Sequence, residues 1–367
     1  MRADEEGYLY PSVDLNSCIN CGACDKVCPV RKPLVVNEKP TLAFAAQNKD
    51  EVIRRQSASG GAFSAFAEVV LKKHGVVFGG CFDKNFNVNH DYVKSINDLE
   101  KLRCSKYVQS NMGDAFIKVK KLLEEGILVL FSGTPCQIYG LKSYLKHDYK
   151  NLITIDLVCH GTPSPGLWKK YLQWISNKEK SKITFISFRD KHYGYAGSTM
   201  AVGFDNGKID YDSRDVQFFK YTFFQDLNNR PSCYKCHFKT IKRDADITLY
   251  DCWHVDKFDK NMDDDLGTTM VLIHTEKGSN LFNEIKSLVR YCKADVKKAI
   301  DLDGIMAVQC PIPNPRRTQF FRDINSLEYE DLINRYFPVS FKKSIVQSVK
   351  PILYKLGILH KLKRILY

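Results

Sequence analysis

Long apolar runs are missing from this chain. The longest, VVFGGCF and ILVLFSG, fall far short of the ~20 residues that a helix needs to span a bilayer. The first residues, MRADEEGYLY, contain no apolar stretch of the signal-peptide kind. Internal repeats and low-complexity segments are absent. Acidic residues stop at Asp331; beyond it stand Arg335, Lys342, Lys343, Lys350, Lys355, Lys361, Lys363 and Arg364. Of the net charge of +13, eight units therefore sit in residues 332–367, and the body keeps only +5. A body so nearly balanced offers no electrostatic footprint for nucleic acid, which excludes that class of partner. The tail KKSIVQSVKPILYKLGILHKLKRILY mixes Ile, Leu and Lys at helical spacing. Such a segment suits peripheral contact with an anionic membrane, docking of an acidic partner, or packing on its own domain.

What remains is a globular composition, 44% apolar and 26% charged, over 367 residues, enough for two or three domains. Thirteen cysteines without a secretory signal argue for reduced thiols and metal sites in the cytoplasm rather than disulfides. Four of them, Cys18, Cys21, Cys24 and Cys28, stand in CINCGACDKVCP with the spacing C-x2-C-x2-C-x3-C-P. That is the spacing of a bacterial ferredoxin 4Fe–4S site. Zinc favours two separated C-x2-C pairs over three consecutive short steps. The fourth cysteine is expected to be set back by a helix following Pro29. In two-cluster ferredoxins the fourth cysteine of each motif serves the other cluster, yet only one motif is present here. Residues Asp4 to Asp14, DEEGYLYPSVD, read as the linker that joins two such motifs. A truncated two-cluster module and a single cluster on four local cysteines are both open.

Residues 1–40 are the cluster module, and residues 41–55, ending in DEVIRR, read as a short linker. From Ser57 strands and helices alternate. SASGGAFSAFAEVVLKKHG is a helix closed at Gly75, VVFGGCF a strand, GDAFIKVKKLLEEG a helix and ILVLF a strand. IYGLKSYLKH and LWKKYLQWIS are helices on either side of the strand NLITIDLV. After Lys182, KITFISFRD, TMAVGF and GKIDYD are short strands. ADITLYD is a further strand, followed by the strand–helix pair TTMVLIHTEKGSNLFNEIKSLV. The fold class is α/β with α+β character: a central mixed sheet with flanking helices, preceded by a small ferredoxin-like iron–sulfur module.

Ligands of open α/β sheets gather at loops leaving the carboxyl ends of strands. Two successive loops of this kind carry Cys136, in SGTPCQ, and Cys159, in VCHGTPSP; a third carries Cys233 and Cys236 as a C-x2-C pair. Two singles and one pair suit a second four-thiolate site, for a cluster or for zinc, or else lone buried thiols. Cys81, Cys104, Cys252, Cys292 and Cys310 read as buried apolar residues. Ser57 to Gly61, SASGG, precedes a helix and could seat a phosphate, although it lacks a Walker Lys and the G-x-G-x-x-G spacing. In CSKYVQS, Lys106 could meet a phosphate while Tyr107 and Gln109 face a ring system. Arg189 and Lys191 of ISFRDK could hold an anionic substrate or a reduced flavin, or make surface ion pairs. His160 could donate a proton, or be structural. Asp246 and Asp251 flank the strand ADITLYD.

These segments in this order resemble the coenzyme F420 hydrogenase/dehydrogenase beta-subunit family. SASGGAFSAFAEVVL, SKYVQS, LFSGTPCQIYGLKSYL, IDLVCHGTPSPGLW, ISFRDK and RPSCYKCHFKTIKRDADITLYD carry the resemblance, from about Ser57 to Trp253. The cysteine module in front is similar to the ferredoxin-type extension of many bacterial members. The resemblance implies FAD beside one or two 4Fe–4S clusters, and electrons passing between clusters and flavin. It places Ser59, Gly60, Gly61, Ser105, Lys106, Tyr107, Gln109, Gly133 and Thr134 in FAD-contacting segments. It places Cys136, Cys159, Cys233 and Cys236 at cysteine positions typical of the family. Tyr250-Asp251-Cys252-Trp253 departs from the Gly-Asp followed by Trp or Phe that is usual there. The implied organisation is a 4Fe–4S module (1–40), an N-terminal α/β flavin-binding domain (41–180), a C-terminal domain with the second cysteine cluster (181–330) and a basic amphipathic tail (331–367). The expected function is a flavin- and iron–sulfur-dependent oxidoreductase, fed by ferredoxin or a partner subunit and delivering hydride to a small-molecule substrate. His160, Arg189 and Lys191 are its candidate catalytic residues. The alternative is an electron-transfer subunit without a substrate site of its own.

Overall fold

An eight-stranded mixed sheet with helices on both faces carries the molecule. The computed structural model describes residues 1–28, 42–197, 199–338 and 349–359. The strands are β1 (Arg2–Ala3), β2 (Leu9–Tyr10), β3 (Leu42–Asn48), β4 (Val76–Phe82), β5 (Val88–Val93), β6 (Val129–Gly133) and β7 (Leu152–Leu157). They continue as β8 (Ile183–Asp190), β9 (Thr199–Phe204), β10 (Ile209–Tyr211), β11 (Ile247–Asp251), β12 (Thr269–Ile273) and β13 (Val289–Ala294). The helices are α1 (Ala23–Lys26), α2 (Glu51–Arg55), α3 (Ala62–Lys72), α4 (Ala115–Glu124), α5 (Pro135–Leu145) and α6 (Pro165–Glu179). Then follow α7 (Arg214–Phe224), α8 (Glu276–Ile285), α9 (Val296–Asp303), α10 (Arg317–Ser326) and α11 (Tyr329–Tyr336).

The sheet order is β13-β3-β12-β11-β7-β6-β4-β5. The pairs β4–β6, β6–β7 and β7–β11 are parallel, and the flanking pairs are antiparallel. Alternation along each strand sends side chains to both faces. Val77 of β4 packs with α3 and α8, whereas Val76 and Phe78 pack with α4 and α5. On β12, Val271 and Ile273 join the first face, and Met270 and Leu272 meet Ala299 and Ile300 of α9 on the other. Ala62, Ala65 and Ala67 of α3 are fully buried, so small side chains bring this helix close to the sheet. A second core surrounds the small sheet β10-β9-β8 and gathers α6, α7, α10 and α11 with the fully buried Tyr8. Among the described residues, no helix is long and apolar enough to cross a membrane.

The sheet takes strands from both sides of residue 180, because the chain returns to it after the second core with β11, β12 and β13. The segment 41–55 is not a linker. It contains β3, an interior strand between β13 and β12, and α2, capped by the Asp50 carboxylate accepting from Val52 and Ile53 amides. LAFAAQN hides this role because it has no β-branched residue, while its alanines fit under covering helices. Ahead of the cysteines, Arg2–Ala3 and Leu9–Tyr10 pair as a small hairpin around the buried Tyr8. The helix expected after Pro29 lies outside the described residues. Residues 331–336 belong to α11, whose Leu332 and Ile333 are fully buried. Of the basic tail, 349–359 is described; there Lys350 meets Asp212 and lies 4.7 Å from the Tyr193 ring.

Two buried histidines set the acid limit of this fold. His90 packs on Phe131, bonds Ser110 Oγ at 3.1 Å and Ser132 O at 2.8 Å, and burial lowers it to about 4. Burial also lowers His274 to about 4, beside Thr248 Oγ1 at 2.9 Å. Between 4 and the ordinary value of 6.5 the unfolded chain binds protons that the folded chain refuses. Stability is therefore whole above that window and is lost as pH falls through it. The urea midpoint should drop from pH 6.5 towards 4, and less steeply in His90→Gln and His274→Gln.

Candidate functional site

The parallel strands β6, β7 and β11 deliver their carboxyl ends to one edge of the sheet. The loop after β6 starts α5 with a capping box between Thr134 and Gln137, and Thr134 Oγ1 lies 3.1 Å from Cys136 Sγ. The loop after β7 carries Cys159 and His160. Cys233 lies in the short turn Pro231–Lys235, and its N–H donates to Arg230 O at 2.8 Å. A Cβ at Gly161 would stand 2.2 Å from Asn229 Oδ1, so glycine lets the Cys159 loop press against the segment entering Cys233.

The four loop cysteines are thus electrostatic neighbours. Burial raises Cys159 most, and the charges of Cys233, Cys136 and Cys236 add to it. Burial likewise pushes Cys233 up to about 11, with Cys136 and Cys236 adding. Burial, with the repulsion of neighbouring thiolates added, keeps Cys159 and Cys233 protonated until a cationic centre reverses the balance. Among the described residues, no group of three or more His, Cys, Asp or Glu is already arranged to hold a metal ion. The Lys239 ammonium bridges the backbone here, meeting Cys159 O and, at 2.7 Å, Met306 O. Cys310, read from sequence as a buried apolar residue, stands with its Sγ 3.8 Å from Cys236 O. Only the fold brings its loop to this edge.

A second polar region adjoins the start of α3. Gly61 is the helix N-cap at φ 80°, without a side-chain cap, so the first-turn amides face outward from the helix for water or an anion. Cations ring this end. Arg103 donates to Ser64 Oγ at 3.2 Å and Gln56 Oε1 at 2.9 Å. Lys106, lowered to about 8 by burial, donates to Arg103 O. Lys191 reaches the carbonyls of Arg54, Ser59 and Leu266 at 2.7, 2.6 and 2.7 Å. Arg189 is 7% exposed; its Nη1 donates to Asp251 Oδ2 at 2.8 Å and Tyr107 OH at 3.2 Å. Its Nη2 has no hydrogen-bond partner among the described residues. Trp253 stacks on Tyr195 at 4.3 Å, with the Arg189 guanidinium 5.0 Å from its ring.

Aromatic contacts join the two regions. His160 Nε2 donates to Asp226 Oδ1 at 2.7 Å, and its ring meets Phe223 and Phe224. Tyr107 packs on the same two phenylalanines and reaches Arg189. His160 and Arg189 therefore lie along one connected wall, and Lys191 stands 5.6 Å from the Tyr195 ring that stacks on Trp253 beside Arg189. Other expected contacts are differently engaged. Ser59 Oγ donates to Thr268 O and Gly60 N–H to Thr269 Oγ1, both tying SASGG to β12. The Gln109 amide is occupied by the Leu9 backbone, at 2.9 and 3.0 Å. Thr134 stands at Cys136, and Gly133 faces the Gln137 side chain. Asp246 accepts from Thr154 N and Oγ1 inside the sheet and is structural.

At the N-terminus Cys18, Cys21 and Cys24 are exposed and Cys28 is partly buried. Asn20 and Gly22 take left-handed conformations, φ 51° and 65°, that fold the C-x2-C-x2-C turn. The Asn20 amide donates to Cys18 Sγ at 3.4 Å. An iron–sulfur module joined to an α/β body with a cysteine-bearing strand edge is the class of protein that fold and site define. Residues 9–30 match the family model of the 4Fe-4S binding domain. Residues 127–298 match the model for the C terminus of the beta subunit of coenzyme F420 hydrogenase/dehydrogenase. The chain is similar at 15% identity to a chain in the F420-reducing NiFe hydrogenase complex from Methanosarcina barkeri. That likeness covers 87% of this chain and 96% of the other, with a TM-score of 0.47. No curated protein matches.

Proposed function

We propose that this protein is an oxidoreductase that moves electrons from ferredoxin or a partner subunit through iron–sulfur sites to FAD and on to a small-molecule substrate. The reading is supported above all by the meeting of Cys136, Cys159, Cys233 and Cys236 at one strand edge. The aromatic wall from His160 to Arg189 leads from that edge to the cationic start of α3. The match of residues 9–30 to a 4Fe-4S binding domain and of residues 127–298 to a hydrogenase/dehydrogenase family supports electron transfer. When bound, clusters handle single electrons and a flavin interconverts one-electron and two-electron chemistry.

Each named residue has a task that its position suits. Cys18, Cys21, Cys24 and Cys28 hold the N-terminal cluster, and the loop cysteines hold the second. The α3 start, with Arg103, Lys106 and Lys191, holds the phosphates of FAD. Arg189 Nη2 holds an anionic group of cofactor or substrate, while Asp251 keeps the guanidinium in place. Asp226 fixes His160 Nε2 as the donor, leaving Nδ1 to accept a proton. A cytoplasmic location and a peripheral membrane contact of the tail belong to the same proposal.

Anaerobic reconstitution followed by iron analysis, visible spectra and EPR tests it. Two clusters and one tightly held flavin are expected; a protein that takes up iron but no FAD would overturn the flavin assignment. Burial and the Arg54 guanidinium lower Lys191 to about 7. Its positive charge is present below that value and lost above it. FAD should therefore bind more weakly as pH rises through about 7, and Lys191→Met should abolish this dependence.

A further inference from the structure

The segment before the first cysteine is built into the body at a telling place. Arg317 grips the Glu6 carboxylate with both nitrogens, at 2.7 and 2.5 Å, and also donates to Asn229 O at 3.2 and 3.0 Å. Ser164 Oγ donates to Glu6 O at 2.5 Å, and Gly166 N–H to Gly7 O at 3.2 Å. Tyr8 is fully buried, and its hydroxyl lies 3.5 Å from Asn228 Oδ1. The Arg230 guanidinium stands 4.0 Å from the Tyr10 ring centre. Arg317 on Asn229 O, Tyr8 beside Asn228 and Tyr10 beside Arg230 converge on Asn228-Asn229-Arg230, the turn that leads into Cys233, and Ser164, which holds Glu6, donates its own N–H to Asn228 Oδ1 at 3.0 Å.

Asn228 Nδ2, Asn229 Oδ1 and Arg230 Nε of that turn are buried without a partner among the described residues, with the strap in place. A segment carrying such unmet groups depends on its remaining contacts to keep one conformation. Arg317 on Asn229 O and the Tyr10 ring on Arg230 hold it on one side, and Gly161 of the Cys159 loop closes the other.

We infer that Glu6, Tyr8 and Tyr10 form a latch with Arg317, Asn228 and Arg230 that parks the N-terminal cysteine module beside the second cysteine set and braces the turn carrying Cys233. Glu6, Arg317 and Arg230 are then positioning residues for electron transfer between the two sites; they ligate nothing. From Tyr10 the chain to Cys18 can extend no more than about 29 Å, so a latched strap confines the module to this side of the molecule. Because transfer rates fall steeply with separation, a fixed neighbour outperforms a roaming one. This inference rests on the two-cluster reading above.

The test uses the full chain, reconstituted anaerobically, as wild type, Glu6→Arg, Arg317→Glu and the double exchange. Iron and labile sulfide count the clusters. EPR of the fully reduced protein reports the distance-dependent broadening of each cluster's signal by the other. Amide hydrogen exchange at Tyr8 and Leu9 reports docking directly. Both single variants should keep the iron of two clusters yet lose the mutual broadening, and their exchange should quicken by about tenfold or more. The double exchange should restore both readouts. Two clusters with broadening unchanged in Arg317→Glu, or exchange unaffected by breaking the pair, would overturn the latch. Iron for only one cluster in the wild type would instead sink the two-cluster reading, while the exchange data still decide whether the strap is latched.

Discussion

Cys233→Ser is expected to lose iron and labile sulfide equal to one 4Fe–4S cluster, about four atoms of each, and to stop reduction of bound flavin by external electrons. Cys233 sits in the turn Pro231–Lys235, with its amide tied to Arg230 O at 2.8 Å, which holds its backbone in place. A serine hydroxyl is a harder, more weakly acidic ligand than a thiol and does not substitute for it at iron. The N-terminal cluster on residues 18–28 should remain, which makes the loss half of the total rather than all of it. Cys292→Ser is the control. It lies on β13, the far edge strand of the sheet, and should change neither iron nor flavin reduction. Full iron content in Cys233→Ser would remove the second site, and with it the route from the cysteine edge to Arg189.

Gly60→Ala should be the most damaging single methyl that can be added near the site. A Cβ there would stand 2.4 Å from Ala46 O, 2.5 Å from Thr269 N and 2.9 Å from Thr268 Cα. All three are backbone atoms, and Ala46 and Thr269 are paired across β3 and β12. No side chain can swing aside, so the strands or the SASGG segment must move. A cost of about 3 kcal/mol in urea unfolding is expected, of the size seen when close-packed sites are overfilled. Displacing SASGG also shifts the start of α3 and the Ser59 carbonyl held by Lys191, so FAD retention should fall in the same variant. Gly113→Ala provides the contrast. Its φ is 46° and nothing lies within 4 Å of the new methyl, so only backbone strain is added, about 1 kcal/mol. Equal effects of the two substitutions would show that contact with β3 and β12 is not what requires glycine at position 60.

The two predictions differ in how far the sequence anticipated them. The placement of Cys136 and Cys159 in loops that leave parallel strands was legible, because alternating strands and helices mark such loops in the chain. The constraint on Gly60 was not legible: it arises only when β12, far along the chain, pairs with β3 and brings Thr268 and Thr269 against it. The segment 42–48 was hidden for a related reason. LAFAAQN carries neither the alternation nor the β-branched residues of a strand; Ala46 becomes core only under α3 and α8, and Ala43 and Ala45 only under α9 on the other face. The tie between the Gln109 amide and the Leu9 backbone was not legible, because the two residues are a hundred positions apart in the chain. Cys310 lay in no motif, so nothing local marked its approach to Cys236.

By itself the sequence determined the chemistry on offer: the run from Cys18 to Cys28, strands and helices in α/β alternation, and a cation-rich tail. These are local properties, set by spacing and periodicity within a few turns of chain. Tertiary structure alone decided which of these pieces meet. It put the strap of residues 4–10 on the turn before Cys233, the Arg189 nitrogen without a partner beside Trp253, and Lys191 among three carbonyls. Such meetings depend on long-range contacts whose partners carry no mark of one another in the chain, and only the burial of the two cores selects them.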